Sequence, residues 1–118
     1  MKIPPDGCLL RIFIGESDRW EGAPLYEALV LKARELHLAG ATVLRGPMGF
    51  GAKSRLHTVK ILRLSEDLPI IVEVVDSQEK IDQFLPHVEA MMQDGLVTIE
   101  KVQVIHYRAS PPPEGAAP

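Results

Sequence analysis

Hydrophobic and polar positions alternate along several segments of the chain in the manner of β-strands. Residues 8–14 (CLLRIFI) and 69–76 (PIIVEVVD) are apolar on both alternating faces, which is typical of strands that are covered on both sides. The other predicted extended segments are 41–46, 58–65 and 96–107. The alternation of the last of these slips at Glu100–Lys101, and this predicts a bulge or a bend at that point.

A first helix is predicted from Leu25 to Ala39, where apolar residues recur at helical intervals. Pro24 precedes it, and proline suits the first turn of a helix because the missing N–H has no intrahelical partner there. Gly40 follows it and is the predicted C-terminal stop. The segment therefore has a start signal, a buried stripe and a stop signal.

A second helix has the clearer pattern, with apolar residues at helical spacing: Ile81, Phe84, Leu85, Val88, Met91 and Met92. Asp76 and Glu79 match the spacing of a capping box at its start. Pro86 lies inside it and predicts a kink or a restart of the helix. The methionines and Phe84 are interpreted as core residues.

The order of these elements is βαββαβ, which predicts an α+β, ferredoxin-like domain: an antiparallel sheet with two helices on one face. Two helices can cover only one face of such a sheet. The strands at 8–14 and 69–76 are nevertheless apolar on both faces. We therefore expect a homo-oligomer in which the uncovered faces of the sheets pack against each other.

The 118 residues are enough for one domain, and we divide them into an irregular lead-in at 1–7, the folded domain at 8–108 and a disordered Pro/Ala-rich tail at 109–118. Cys8 is the single cysteine, so an intrachain disulfide is excluded and a reducing compartment is expected. No apolar run reaches the about 18 residues of a membrane-spanning helix. These features favour a cytoplasmic protein without membrane insertion.

The segment RGPMGFGAKSRLH, residues 45–57, is the first candidate site. Its glycines are Gly46, Gly49 and Gly51, and its basic residues are Lys53, Arg55 and His57. Glycines allow backbone N–H groups to form an anion-binding nest, to which Lys and Arg would add charge-assisted hydrogen bonds. The alternative is that the glycines let a mobile loop turn sharply while the charges face water. Both interpretations stay open.

Three carboxylates are further candidates. Glu16 and Asp18, in GESDR, follow the first strand, where they form either part of a site or a polar turn before the helix. Glu73 interrupts an apolar strand, where a carboxylate is expensive unless it is paired. Arg11 and Lys60 are its candidate partners. We expect an ion pair at the oligomer interface, with a position at the ligand cleft as the alternative.

The charge and histidine patterns exclude or disfavour other classes of function. The formal net charge of −3 argues against a dedicated nucleic-acid binder. The four histidines show no metal-ligand spacing and there is no second cysteine, so no metal site is expected. No pair of a nucleophile and a base can be argued from the sequence. The sequence therefore favours a protein that is not an enzyme.

Three blocks in order resemble one known family: GESDRWEGAPLYEALVLKARELHLAGATVLRGPMGFG, LSEDLPIIVEVVD and FLPHVEAMMQDGLVTIEKVQVI. They are similar to the PII-like proteins of domain-of-unknown-function family 190, over about Leu10 to Tyr107. The resemblance implies a GlnB-like, trimeric, ferredoxin-like subunit related to the nitrogen-regulatory PII signalling proteins. It implies no known reaction.

The resemblance also implies what segment 45–57 does. In PII proteins a long loop after the second strand contacts partner proteins, and its base helps to hold an adenine nucleotide between subunits. This chain departs from PII proteins before the fourth strand, where a glycine-rich loop is replaced by QDGLVT. The late pair of PII arginines has no clear counterpart, and Lys101, His106 and Arg108 are the nearest basic residues.

Our hypothesis from the sequence is a cytoplasmic, PII-like homotrimer that binds a small anionic ligand at its intersubunit clefts. The ligand would be an adenine nucleotide (ATP, ADP, AMP or cyclic AMP), and the 46–57 loop would meet a partner protein such as a membrane transporter or an enzyme. The proposed ligand-binding residues are Gly46, Gly49, Gly51, Lys53, Arg55, His57, Glu16 and Glu73. The rivals are a ligand-free interaction trimer and a small enzyme using Glu16, Asp18 or His57.

Overall fold

The computed structural model describes residues 4–50 and 67–110 of the chain. Its helices are α1 (Leu25–Glu35) and α2 (Gln78–Met91). Its strands are β1 (Asp6–Gly15), β2 (Arg19–Trp20), β3 (Ala23–Pro24), β4 (Thr42–Arg45), β5 (Pro69–Asp76) and β6 (Leu96–Gln103). The predicted strand at 58–65 lies outside the described residues, as do residues 1–3 of the lead-in and 111–118 of the tail.

Four strands form one sheet in the order β4-β5-β1-β6, and every neighbouring pair is antiparallel. This is the strand order of a split βαβ unit, in which each helix connects two strands of the same sheet. β2 and β3, with two residues each, form a separate hairpin between β1 and α1. The predicted ferredoxin-like fold is confirmed.

The core lies on one face of this sheet. One alternate set of side chains from β1 and β5 is buried against residues of both helices: Cys8, Leu10, Ile12, Ile14, Ile70, Val72, Val74, Leu25, Leu29, Ala33, Ile81, Phe84, Val88 and Met91, with Leu38 beside them. Both helices therefore cover the same face, as predicted. Trp20 is half-buried and packs against this core.

The first helix is shorter than predicted, and Gly40 does not end it. His37 adopts a left-handed backbone with φ of 61°, two residues after the last helical residue, Glu35. Its N–H donates to the carbonyl of Arg34 at 3.0 Å, and the N–H of Leu38 donates to that of Ala33 at 3.0 Å. This pair of bonds is a Schellman motif, which usually places glycine where His37 lies. The stop was missed because histidine carries no such signal.

The start of the second helix also differs from the prediction. Ser77 is the N-cap, and its hydroxyl accepts from the N–H of Lys80 at 3.2 Å. The position that a capping box gives to Glu or Gln is therefore held by Lys80, and the predicted box of Asp76 and Glu79 is wrong. The helix continues without a restart through Pro86 to Met91.

Strand β6 ends four residues before the predicted 107, and its pairing with β1 is unbroken from Leu96 to Gln103. The predicted bulge at Glu100–Lys101 is therefore wrong. β6 is an edge strand whose side chains are almost all exposed in this chain. Because no face of β6 is buried, its sequence need not alternate between polar and apolar residues. A change in the phase of that alternation therefore does not indicate a change in strand pairing.

Strand β1 starts at Asp6, two residues earlier than predicted. Its first residues pair with the end of β6, and the N–H of Val104 donates to the carbonyl of Pro5 at 2.8 Å. Within the described part of the chain, no helix has the length and apolarity needed to cross a membrane.

Candidate functional site

The predicted loop leaves and re-enters the sheet at one end. β4 ends at Arg45, β5 begins at Pro69, and β1, which pairs with β5, ends at Gly15 opposite Pro69. Because neighbouring strands are antiparallel, the end of β4, the start of β5 and the end of β1 lie together. We call this end of the sheet, residues 15–18, 45–50 and 67–69, the loop root.

The returning side of the loop is joined to the turn after β1 by several hydrogen bonds. The N–H of Glu16 donates to the carbonyl of Leu68 at 2.8 Å. The N–H and the hydroxyl of Ser17 both donate to Oδ1 of Asp67, at 3.2 and 2.7 Å. A Cβ on Gly15 would overlap that same oxygen, so a larger residue there would require the Asp67 side chain to shift. Asp67 is therefore a structural residue of this turn.

The second predicted carboxylate of this turn has a local partner. Asp18 accepts a hydrogen bond from the N–H of Gly15 at 3.0 Å. Its own N–H donates to the carbonyl of Gly15 at 3.2 Å, and its carbonyl accepts from the N–H of Leu25 at 2.8 Å. These contacts favour the polar-turn interpretation of Asp18 over a catalytic one.

The outgoing side of the loop packs against Pro69. The N–H of Gly46 donates to the carbonyl of Pro69 at 2.8 Å. A Cβ on Gly46 would lie 2.7 Å from Cγ of that proline, and a Cβ on Gly49 would lie 3.0 Å from it. Neither glycine has a positive φ. The structure thus gives these two glycines a packing reason, and the N–H of Gly46 already has an acceptor.

An ion pair links the two strand ends of the loop root. Nη2 of Arg45, the last residue of β4, contacts Oε2 of Glu16, just past the end of β1. The Arg45 side chain is 56% exposed and the Glu16 side chain 25% exposed. Arg45 was not predicted as a site residue, because it precedes the glycines and lies apart from the basic residues that follow them. Its place as the last strand residue before a glycine-rich loop was the available signal.

Two exposed apolar side chains also belong to the loop root. Met48 is 66% exposed and Phe50 is 71% exposed. They lie on the outgoing chain, just after the contact of Gly46 with Pro69. The predicted site residues Gly51, Lys53, Arg55 and His57 lie outside the described residues, as does Lys60.

Glu73 lies elsewhere, on the sheet face that the helices leave open. Its Oε2 accepts from Nε of Arg11 at 2.8 Å, which agrees with the predicted pairing of these two residues. Nη1 of Arg11 also binds Oε1 of Glu100 at 2.7 Å. Glu73 follows Pro69 by four strand residues, or about 13 Å along the strand. Its side chain is therefore not brought together with Glu16.

The pKa of Arg11 is raised above its ordinary value, chiefly because Arg11 donates a hydrogen bond to Glu73. Desolvation opposes this shift, and the charge of Glu100 adds to it. The Arg11 guanidinium therefore stays charged in the folded protein. Among residues 4–50 and 67–110 there is no group of three or more His, Cys, Asp or Glu side chains that could hold a metal ion.

Comparison with solved structures shows where this fold occurs. A protein of Thermus thermophilus that carries the designation of a PII-like signalling protein matches 89% of this chain and 94% of its own, with a TM-score of 0.61 and 18% identity. CPII from Thiomonas intermedia, solved with ADP and bicarbonate, matches 84% of this chain and 88% of its own, with a TM-score of 0.56 and 19% identity. The fold is that of the PII-like proteins.

Sequence comparison defines the family. A UPF0166 protein of Aquifex aeolicus is 41% identical over 98 residues, which are 83% of this chain and 92% of that relative. The model of family DUF190, described as "Uncharacterized ACR, COG1993", matches residues 7–104. The match spans β1 to β6 with the loop root between them. This chain therefore belongs to DUF190, the domain-of-unknown-function family 190 that the three sequence blocks resemble.

Proposed function

We propose that the protein is a non-enzymatic, PII-like regulatory homotrimer that binds a small anionic ligand, an adenine nucleotide, where the loop root meets a neighbouring subunit. The observation that carries the proposal is the loop root itself. On a PII-like fold, it places a cation and two exposed apolar side chains where the chain leaves the sheet for the predicted regulatory loop. The structures of CPII with ADP, AMP and bicarbonate support a nucleotide as ligand.

The trimer is supported by the open face of the sheet. This face alternates with the buried one and carries half-buried or exposed apolar side chains beside the Glu73–Arg11–Glu100 ion pairs: Leu9, Phe13, Leu44, Ile71, Val75, Leu96 and Val102. An apolar surface of this kind on a soluble domain marks an interaction site. Three copies that turn these faces toward each other would cover it.

Charge complementarity supports an anionic ligand. The chain carries a formal net charge of −3, so an anion needs local cations to bind. Arg45 supplies one at the loop root, and Lys53, Arg55 and His57 are the proposed further ones. Gly46, Gly49 and Gly51 would let the chain pass close to the ligand. Glu73 would serve the assembly through Arg11.

The contacts of the turn carboxylates disfavour an enzyme. Glu16 is paired with Arg45, and Asp18 accepts a backbone N–H within its own turn. Each carboxylate thus has a structural partner on one of its oxygens, which supports a role in holding the turn over one as a general base. The partner would instead be a protein, such as a membrane transporter or an enzyme, that contacts the 46–57 loop and the exposed Met48 and Phe50.

Calorimetry of the full chain with ATP, ADP, AMP and cyclic AMP, with and without magnesium and bicarbonate, tests the proposed ligand. We expect saturable binding of at least one nucleotide, with a stoichiometry of one site per subunit. Lys53→Ala combined with Arg55→Ala should weaken that binding without a change in oligomer mass. The absence of heat and of any thermal shift with all four nucleotides would refute the nucleotide and favour a ligand-free interaction trimer.

Sedimentation velocity tests the assembly separately from the ligand. We expect the mass of three subunits across micromolar concentrations. A stable monomer at those concentrations would refute the trimer, whatever the calorimetry shows.

A further inference from the structure

The loop root holds the two sides of the loop to the turn after β1 in different ways. On the returning side, Asp67 and Leu68 accept three hydrogen bonds from the N–H of Glu16 and from Ser17. On the outgoing side, the contact with this turn is the side-chain ion pair of Arg45 with Glu16. The first is built from backbone and short side chains, and the second from two charged side chains with rotamer freedom.

The returning side already has a carboxylate bound to its donors. Gly15 lies so close to Asp67 that a single Cβ would overlap its carboxylate. The Asp67 carboxylate itself occupies the donors of Ser17. An anion would have to displace a carboxylate that the fold holds in place. This side of the loop root is a fixed anchor.

The outgoing side can exchange its partner. The Arg45 guanidinium has five N–H donors, and Glu16 contacts it through Nη2. More than half of the Arg45 side chain is exposed, whereas Glu16 is largely covered. A guanidinium binds carboxylate and phosphate oxygens with the same forked geometry. A ligand anion that reaches the loop root therefore meets a cation that is accessible but already has a carboxylate partner.

We propose that Arg45 binds the anionic group of the ligand and that Glu16 competes with this group for Arg45. This rests on the proposed function, because it assumes that an anion binds at the loop root. When the anion takes Arg45, the end of β4 loses its ion pair with Glu16, while the bond of Gly46 to Pro69 and the contacts of Asp67 remain. Binding thus changes the contacts of one side of the loop root only.

Glu16 would then lower the affinity for the ligand, because it competes with the ligand for Arg45. An ion pair at a partly exposed site is worth up to about 1 kcal/mol, which corresponds to about fivefold in a dissociation constant. Glu16→Gln should therefore tighten the binding of ADP by up to about fivefold. Arg45→Gln should weaken it by about tenfold, as expected for the loss of a charge-assisted contact.

A double-mutant cycle measured by calorimetry with ADP as the probe tests this exchange. In the Arg45→Gln background, Glu16→Gln should no longer tighten binding, because the competitor has lost its cation. Glu21→Gln and Arg19→Gln are the matched controls, since they change the same charges at exposed positions beside the same turn, and they should leave the affinity unchanged. Circular dichroism and sedimentation of every variant verify the fold and the mass.

Two further probes identify the source of the anion. Inorganic phosphate and bicarbonate are titrated alone into the wild type and into Glu16→Gln. Tightening by Glu16→Gln with either simple anion supports the exchange and shows that a free anion suffices. Tightening with ADP alone supports the exchange and assigns the anion to the nucleotide.

Three results would overturn the exchange. If Glu16→Gln weakens ADP binding, Glu16 binds the ligand directly and is no competitor. If the wild type binds ADP and Arg45→Gln binds it equally well, Arg45 does not bind the anion, while the proposed function stands. If the wild type binds none of the probes, the proposed function and the exchange are refuted together.

Discussion

The two faces of the sheet are built from alternate residues of the same strands, yet they differ in what covers them. On the helix face, Leu10, Ile12 and Val72 are fully buried. On the open face, Leu9, Phe13 and Ile71 are only half-buried, and Arg11 spans two carboxylates among them. The helix face is completed by this chain alone, whereas the open face keeps apolar surface in contact with water.

In the proposed trimer, this difference would separate the folding of the subunit from its assembly. The helix face carries one buried charged residue, Asp76, among the described parts of the chain. The open face carries three charged residues in one cluster, Arg11, Glu73 and Glu100. These side chains are partly hydrated in the single chain, and their ion pairs would balance their charges if another copy covered the face. Stability of the fold should therefore depend on the first face, and oligomer mass on the second.

The largest effect is expected from Phe84→Ala. Phe84 is fully buried between α2 and the helix face, and removal of such a side chain costs about 3–5 kcal/mol of the free energy of unfolding. Phe13→Ala on the open face should cost less in the subunit but should lower the oligomer mass. Denaturant titrations at several protein concentrations measure this: the midpoint for Phe84→Ala should shift equally at all of them.

A concentration-dependent midpoint for Phe13→Ala would support covering of the open face by copies of the chain. The comparison of the two faces would be contradicted if both variants shifted the midpoint equally and left the mass unchanged.

The next largest effect is expected at Asp76. Its carboxylate accepts from the N–H of Ala39 at 2.8 Å and from that of Ser77 at 2.7 Å, so it joins the segment after α1 to the start of α2. Asp76→Ala leaves two N–H groups without a partner, at about 2–4 kcal/mol in the free energy of unfolding. Asp76→Asn should recover about half, since one acceptor oxygen remains.

Asp82→Ala is the control for Asp76, because Asp82 is an exposed carboxylate on α2 that accepts from Gln78. Chemical denaturation should show a change within about 0.5 kcal/mol for it. Equal shifts for the two alanine variants would mean that the backbone bonds of Asp76 contribute nothing to the helix face.

The sequence predicted those elements whose pattern is imposed by burial. β5 lies where it was predicted, because a central strand with apolar residues on both faces has a clear signal. α2 has the predicted buried stripe for the same reason. The errors fall where burial imposes nothing. The end of α1 depends on His37 in a left-handed conformation, and the phase of β6 is free because β6 is an edge strand.

The candidate site was less predictable, since its contacts join residues that are far apart in the chain. The glycine pattern was visible, but the packing of Gly46 and Gly49 on Pro69 depends on the register of β4 with β5. The pairing of Arg45 with Glu16 needs β1 and β4 at the same end of the sheet. By contrast, the pairing of Glu73 with Arg11 was predictable, because an unpaired carboxylate in an apolar strand requires a nearby cation.

The smallest effect on the fold, and the sharpest test of the open face, is expected from Arg11→Met. In the isolated subunit the ion pairs are exposed to solvent, so the free energy of unfolding should change little. In an assembly that covers this face, the change leaves Glu73 and Glu100 as like charges without their shared cation, and the oligomer should dissociate at neutral pH. Sedimentation velocity at neutral pH measures this, with Arg11→Met combined with Glu73→Gln and Glu100→Gln as the control that should assemble, because it carries neither charge. An Arg11→Met oligomer that keeps its mass at neutral pH would place the cluster outside any covered surface.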